Sequence, residues 1–199
     1  MTARHWRALA IFGAFATGVA VVFGAIVLIA GPHFSGKAFS SARIGGPFSL
    51  TDQNGRTITE QDLKGKPFLV FFGFTHCPDT CPTTLFDVSE VLKSLGPDAD
   101  RTAALFITVD PERDNAASLK DYLSSFDPHL VGLTGDTAAL ATVAREYRVY
   151  YKKVPLEDGD YTMDHTAIVY LMDKEGRFVS PFNLKRKPEA SAEELRKYL

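Results

Sequence analysis

Apolar residues along most of this chain occur either in short unbroken runs or in stripes at helical spacing. The unbroken runs are too short for helices and predict buried strands; they cover residues 67–74, 103–109 and 130–133. The stripes predict amphipathic helices; they cover residues 82–95, 116–126 and 137–147. Because strands alternate with helices, the pattern indicates an α/β domain whose parallel-rich sheet is covered on both faces.

Antiparallel pairs are predicted at both ends of this alternation. Asn54-Gly55 between short apolar runs indicates an N-terminal hairpin. A further strand is predicted over 149–154, and strands over 166–172 and 177–181 form a hairpin through a short Gly-ended turn. A last helix is predicted over 189–199. We therefore expect a central mixed sheet flanked by helices.

The N-terminus has a different pattern. Residues 8–30 form an apolar run of 23 residues without a charge. As a helix rising about 1.5 Å per residue, this run is long enough to cross a hydrocarbon core of about 30 Å. Arg4 and Arg7 precede it, so the positive-inside rule places residues 1–7 in the cytoplasm and the rest of the chain outside it.

A cleaved signal peptide is the alternative for this segment. Its apolar core usually spans about 7 to 15 residues, which is shorter than the run found here. The length favours a retained single-pass anchor in the inner membrane, with the C-terminal domain in the periplasm or an equivalent exported compartment. Residues 31–43, rich in Gly and Ser, are expected to be a tether, and residues 44–199 the domain.

Composition and charge set broad limits. Apolar residues make up 45% and charged residues 23% of the chain, as in ordinary globular proteins. The formal net charge of −2 gives no reason to expect a nucleic acid partner.

Candidate chemistry centres on the two cysteines of the chain, Cys77 and Cys81. They lie between the strand over 67–74 and the helix over 82–95, at the carboxyl end of a predicted central strand, where α/β sheets usually carry their sites. The N-terminus of a helix also favours thiolates, which are both nucleophiles and metal ligands. The pair is therefore a candidate structural disulfide, redox couple or pair of metal ligands.

Two of these alternatives are weakened by the sequence. A disulfide between Cys77 and Cys81 would close a very small loop and constrain the unfolded chain little. Thiol-disulfide oxidoreductases commonly have two residues between their cysteines, whereas this chain has three. They also typically have a proline before the strand that faces the cysteines, and Asp164-His165 stands at that place here.

His165 gives the metal hypothesis a third ligand. Two thiolates and one imidazole form a soft S₂N set that suits copper, since sulfur favours Cu(I) and nitrogen helps to hold Cu(II). Zinc fits less well, because a structural zinc site has four protein ligands. A histidine before a strand is often structural, so a metal-independent reductase stays open at this point.

Three blocks of sequence resemble the signature motifs of the Sco/SenC copper proteins. They are Phe-Thr-His-Cys-Pro-Asp-Thr-Cys-Pro at 74–82, Thr-Val-Asp-Pro-Glu-Arg-Asp at 108–114 and Tyr-Thr-Met-Asp-His-Thr at 161–166. The resemblance covers about residues 44–199 and implies a thioredoxin-like fold with copper bound by Cys77, Cys81 and His165.

The resemblance also implies a role and partners. The role is maturation of the binuclear copper centre of cytochrome c oxidase subunit II, by copper delivery, by reduction of target cysteines, or by both. The subunit II copper domain and other periplasmic copper or thiol-redox proteins are then the expected partners. A membrane-tethered thiol-disulfide reductase is the alternative, with Cys77 and Cys81 as its redox-active pair.

Residues beside these motifs have less defined roles. His76 is expected to neighbour the site without binding metal, and Met163 to pack against the domain. Asp79 is an exposed loop residue, a group that tunes the thiolates, or a contact for a partner. The segment 110–114 is either the entry to a helix or a docking rim.

Overall fold

The structure is a computed structural model that describes residues 43–157 and 159–199. The predicted membrane anchor at 8–30 and nearly all of the predicted tether at 31–43 lie outside these residues. Within the described ranges, no helix is long and apolar enough to cross a membrane.

The described chain forms nine strands, four α-helices and two short 3₁₀ helices. The strands are β1 (Ser49–Asp52), β2 (Thr57–Thr59), β3 (Phe68–Gly73), β4 (Ala103–Thr108), β5 (Leu130–Thr134), β6 (Tyr151–Pro155), β7 (Tyr161–His165), β8 (Val169–Met172) and β9 (Phe178–Pro181). The α-helices are α1 (Thr80–Leu95), α2 (Ala116–Leu123), α3 (Thr137–Glu146) and α4 (Pro188–Arg196). The 3₁₀ helices cover Glu60–Leu63 and Gly96–Arg101.

Seven of the strands form one mixed sheet in the order β2-β1-β5-β4-β3-β8-β9. The central pairs β3–β4 and β4–β5 are parallel, and the outer pairs are antiparallel. The N-terminal hairpin is present, with Leu50 opposite Ile58. The prediction of an α/β domain with a central mixed sheet flanked by helices is confirmed.

β3 is the strand that places the cysteines. All six of its residues are buried between neighbours β4 and β8, as an apolar run without alternation predicts. After β3 the chain turns into α1, which begins at Thr80 rather than at the predicted Pro82. Pro82 still lies in the first helical turn, where a missing N–H costs nothing. Cys81 is therefore part of the helix and not of the loop before it.

The surroundings of His165 differ from the prediction. A central strand was predicted over 166–172, but β8 begins only at Val169. His165 instead ends β7, which pairs with β6 in a separate two-stranded sheet. The sequence of β7, Tyr-Thr-Met-Asp-His, lacks an apolar run because this hairpin lies outside the central sheet. His165 thus reaches the cysteines from the side, carried on the β6–β7 hairpin.

Candidate functional site

Cys77 and Cys81 face each other across the first turn of α1. The backbone N–H of Cys81 donates a hydrogen bond to Cys77 Sγ at 3.3 Å. Cys77 is half-buried, whereas Cys81 is fully buried and belongs to the hydrophobic core. Both side chains are free thiols in the structure. One sulfur is therefore open to a partner, while the other is enclosed by the fold.

His165 joins this pair. Its Nε2 lies 3.6 Å from Cys81 Sγ, and the ligand atoms of Cys77, Cys81 and His165 all lie within 4.8 Å of one another. Within the described residues, these three form the group whose donor atoms are close enough to share a metal ion. The structure brings together all three residues that the sequence analysis selected.

The orientation of the imidazole is fixed by its other contacts. Its Nδ1 lies 3.3 Å from the carbonyl oxygen of Thr166, which can only accept, so Nδ1 carries the hydrogen. Nε2 then carries the lone pair and faces Cys81. The ring also packs edge-on against Phe74 and Phe71, at centroid distances of 5.7 and 6.2 Å. A backbone acceptor behind the ring is the usual support of a metal-binding histidine.

Burial controls protonation at the enclosed end of the site. Burial strongly raises the pKa of the Cys81 thiol, and the adjacent Cys77 sulfur raises it further. Burial also lowers the pKa of His165. The expected thiolate stabilisation by the helix N-terminus is therefore outweighed at Cys81 by desolvation. Without a metal, a protonated Cys81 donates to a neutral His165.

Gly73 is a site residue that the sequence analysis missed. A Cβ atom at this position would lie 2.8 Å from Cys81 Sγ and 2.7 Å from Phe106 Cε2. Both distances are well inside normal van der Waals contact. The absence of a side chain at the end of β3 therefore makes room for the Cys81 sulfur. A glycine inside an otherwise apolar strand was the available signal, since it often marks a close approach.

Asp114 organises the loop that leads from β3 to Cys77. Its buried carboxylate accepts hydrogen bonds from the Thr75 N–H at 2.9 Å and from the Thr108 hydroxyl at 2.7 Å, and also from the Thr75 hydroxyl. These bonds tie the loop after β3 to the end of β4. His76 points outward and, with its side chain 53% exposed, lies apart from the three-donor group.

The segment 110–114 leads directly into α2, and Asp110 pairs locally with Arg113, as expected for the entry to a helix. Asn115 caps α2 by accepting from the N–H groups of Ala117 and Ser118. Asp110 and Asp114 are both buried. The acidic side chains of this segment face inward, with Glu112 as the exposed exception.

The other candidate neighbours have smaller roles in the structure. Asp79 is exposed at the N-cap of α1 and its side chain makes no capping hydrogen bond. Met163 is half-buried and packs against the hydrophobic core, in line with the packing role expected for it.

The donor set determines what chemistry fits. Two sulfurs and one imidazole nitrogen suit soft or borderline ions such as copper. Ligands that share a metal at bond lengths of about 2.0–2.3 Å lie about 3–4 Å apart, so the present spacing needs only small side-chain movements. The same two free thiols, with sulfurs within 4.8 Å of each other, also form a candidate redox pair.

Comparisons with known proteins agree with this arrangement. The profile of the SCO1/SenC family matches residues 36–199. A mitochondrial SCO1 homolog of Arabidopsis thaliana is 43% identical over 145 residues, which are 72% of this chain and 43% of that protein. The mitochondrial SCO2 homolog of Mus musculus is 41% identical over 167 residues, which are 82% of this chain and 66% of that protein.

A solved structure extends the similarity to three dimensions. The structure of Bradyrhizobium japonicum ScoI with copper bound superimposes with a TM-score of 0.77 at 67% identity, covering 78% of this chain and 99% of that one. The chain spans less than two thirds of the two mitochondrial relatives described above. The family match covers most of the sequence, and the chain belongs to the SCO1/SenC family.

Proposed function

We propose that this protein is a copper metallochaperone whose ligands are Cys77, Cys81 and His165. The observation that carries the proposal is the convergence of two sulfurs and one imidazole nitrogen within 4.8 Å, brought together by the loop after β3, by α1 and by β7. A related ScoI structure contains copper, which supports the choice of metal. Copper is the cargo in this proposal, held for transfer to a partner.

The three side chains have unequal tasks. His165 offers the Nε2 lone pair without losing a proton, because its Nδ1 donates to Thr166. Cys81 must lose its proton when metal binds, so binding releases protons and weakens as pH falls. Cys77 is the more accessible sulfur and is the first group that a ligand from a partner can approach. Transfer then proceeds from the exposed side of the site.

The proposed role is maturation of the binuclear copper centre of cytochrome c oxidase subunit II. The protein would be anchored in the inner membrane through residues 8–30, with residues 44–199 exported to the periplasm. The apolar run and the arginines before it support this placement. The sequence motifs of the family support the oxidase copper domain as the client.

Copper binding by single-residue variants tests the ligand assignment. The reduced chain is expected to bind copper stoichiometrically, with sulfur-to-metal charge-transfer absorption in the Cu(II) form. Cys77→Ala, Cys81→Ala and His165→Ala should each lose stable binding. His76→Ala is the matched control, because His76 lies beside the site without joining the donor group. Unchanged copper binding by the three site variants would overturn the proposal.

Thiol reduction is a second candidate, favoured by the two free thiols and by the Cys81 N–H that donates to Cys77 Sγ. In that reaction Cys77 and Cys81 become a disulfide, and two electrons and two protons pass to a disulfide of the target. The copper-loaded chain should be mixed with a reduced, metal-free oxidase copper domain, and the metal followed. Absence of transfer, with efficient reduction of an oxidised target that persists in His165→Ala, would favour the reductase.

A further inference from the structure

Arg113 lies at the junction between the buried segment 110–114 and the hairpin that carries His165. Its Nε donates to the buried carboxylate of Asp110, and its Nη1 donates to the backbone carbonyl of Tyr161 at 3.0 Å. The guanidinium also stacks on the Tyr161 ring, 3.7 Å from the centroid. Tyr161 in turn donates its hydroxyl hydrogen to Asp110 at 2.9 Å. We call Asp110, Arg113 and Tyr161 the hairpin clamp.

The clamp contacts the site from two directions. Tyr161 is the first residue of β7 and His165 is the last, so a shift of the strand moves both. Arg113 also lies over the face of Phe74, 5.9 Å from its centroid, and Phe74 packs edge-on against the His165 ring. One side chain therefore supports both the strand that carries the imidazole and the aromatic ring beside it.

The β6–β7 hairpin needs such support because its strands pair with each other and not with the central sheet. A second link, Lys153 to Glu112, joins side chains that are 45% and 65% exposed, so it contributes little. Arg113 and Asp110 are only 16% and 3% exposed in their side chains, and their pair is much less screened by solvent. Among the described residues, Arg113 Nη2 is buried without a hydrogen-bond partner, so ring faces hold that side of the guanidinium.

We infer that Arg113 and Tyr161 are positioning residues that hold the β6–β7 hairpin against the domain and thereby keep His165 Nε2 beside the sulfur of Cys81. This inference rests on the proposed copper function. The clamp residues are not members of the three-donor group; they act on it through the strand and through Phe74. It gives the motif at 108–114 a task that its distance from the cysteines in the sequence does not reveal.

The test compares copper retention and the histidine signature in clamp variants of the full chain. Arg113→Met keeps the length of the side chain and removes its charge, and Tyr161→Ala removes the stacking ring. Both should release copper to a chelator about 10- to 100-fold faster, the usual cost of losing a group that orients a ligand. The nitrogen coupling in the Cu(II) electron paramagnetic resonance spectrum should weaken while sulfur charge transfer persists. Arg113→Lys should restore part of both signals.

Arg196→Met is the control for a loss of stability alone. Arg196 pairs with Asp98 and Glu193 and donates to two carbonyl oxygens at the end of α1, far along the chain from the hairpin. This variant should unfold at lower temperature and keep the wild-type copper release and spectrum. The inference is wrong if Arg196→Met changes copper release and the Cu(II) spectrum as much as Arg113→Met does. It is also wrong if the clamp variants keep the wild-type copper release and spectrum.

Hydrogen exchange in the metal-free chain separates this inference from the proposed function. Amide protons of β7 should exchange faster in Arg113→Met and Tyr161→Ala, while those of β3 keep their protection. Faster β7 exchange in the two variants, together with a wild-type chain that binds no copper, would overturn the proposed function and leave the clamp standing. Unchanged exchange of β7 in both variants, in a chain that does bind copper, would overturn the clamp alone.

Discussion

Gly73 leaves the space that the Cys81 sulfur occupies at the end of β3. Any larger residue would place an atom 2.8 Å from that sulfur. The other close neighbour of a side chain at position 73 would be Phe106, which is fully buried and cannot move aside freely. The position of a candidate copper ligand therefore depends on a residue that has no side chain and makes no bond to it.

We predict that Gly73→Ala weakens copper binding and lowers stability. The added methyl group overpacks the interior, which typically costs about 1–3 kcal/mol, and it pushes Cys81 away from His165. Copper release from the reduced chain should become faster, measured with a chelator. The free energy of unfolding in urea should fall by the stated amount.

Gly132→Ala is the matched control for Gly73→Ala. Gly132 lies in β5 of the same sheet, and a Cβ there would be 2.7 Å from Leu123 Cδ1, with no thiol nearby. Gly132→Ala should lower the free energy of unfolding by a similar amount and leave the rate of copper release unchanged. Equal effects of the two variants on copper release would show that Gly73 acts only through general packing.

At this scale, sequence reasoning succeeds for residues with distinctive chemistry. Cys77, Cys81 and His165 could be selected because thiols and imidazoles are few in the chain. The spacing of the two cysteines also fits the start of a helix. Gly73 was missed: a glycine in an apolar strand signals a close approach, but what approaches it is known only from where Phe106 and Cys81 lie after folding. The inward orientation of Asp110 and Asp114 was missed for the same reason, since acidic residues are usually exposed.

Helices and strands were predicted well where their apolar residues form clear runs or stripes. The buried strands β3 and β4 and helix α1 have continuous or periodic apolar residues, and they were found with small errors at their ends. β7 alternates polar and apolar residues weakly and is held by the clamp and by β6, so its sequence carries little local signal. The predicted membrane helix lies outside the described residues and stays a prediction.

His129 links the turn before β5 to a surface 3₁₀ helix, and the strength of this link depends on pH. It lies in the turn before β5, with Nδ1 2.7 Å from Asp127 and Nε2 3.1 Å from Asp100. Asp100 belongs to the 3₁₀ helix Gly96–Arg101. Hydrogen bonding to Asp127, followed by that to Asp100, raises the pKa of His129 above its ordinary value of 6.5.

We predict that this link stabilises the fold in acid and fades as pH rises. A raised pKa means that the folded state binds the proton more tightly than the unfolded state. Its contribution is therefore full below 6.5 and is lost as pH rises through the folded-state pKa of His129. The contribution is below about 1 kcal/mol, because the pair is partly exposed. His129→Asn should thus lose more stability near pH 6 than at about pH 8.5.

The titration of His165 also changes the stability of the wild-type chain with pH, so the effect of His129 must be measured as a difference between wild type and a variant. The pKa of His165 is lowered by burial, so this residue opposes folding as pH falls below its ordinary value, and the wild-type curve contains both effects. Only the difference between wild type and His129→Asn isolates the surface link. Asp127→Asn should reduce the same difference, and high salt should shrink it. A difference that is constant across this pH range would contradict the assigned link.

For the whole molecule, the candidate copper site is continuous with the hydrophobic core. Cys81 belongs to the core cluster, His165 packs on Phe71 and Phe74, and the three donors come from a loop, a helix and a strand. An ion bound there would cross-link the loop after β3, the start of α1 and the end of β7. Copper should therefore act on the stability of the entire domain and not on one loop.

Copper should consequently raise the unfolding temperature of the reduced chain. A ligand that binds only the folded state adds about 2.7 kcal/mol when its free concentration is 100 times its Kd. For a domain of this size that corresponds to roughly 5–10 °C, measured by calorimetry with and without copper. Gly132→Ala should start from a lower temperature and show the same increase. Cys81→Ala and the chain oxidised to a Cys77–Cys81 disulfide should show none, because each lacks a sulfur that the metal needs. An equal increase in Cys81→Ala would place the stabilising ion elsewhere and separate copper binding from the core.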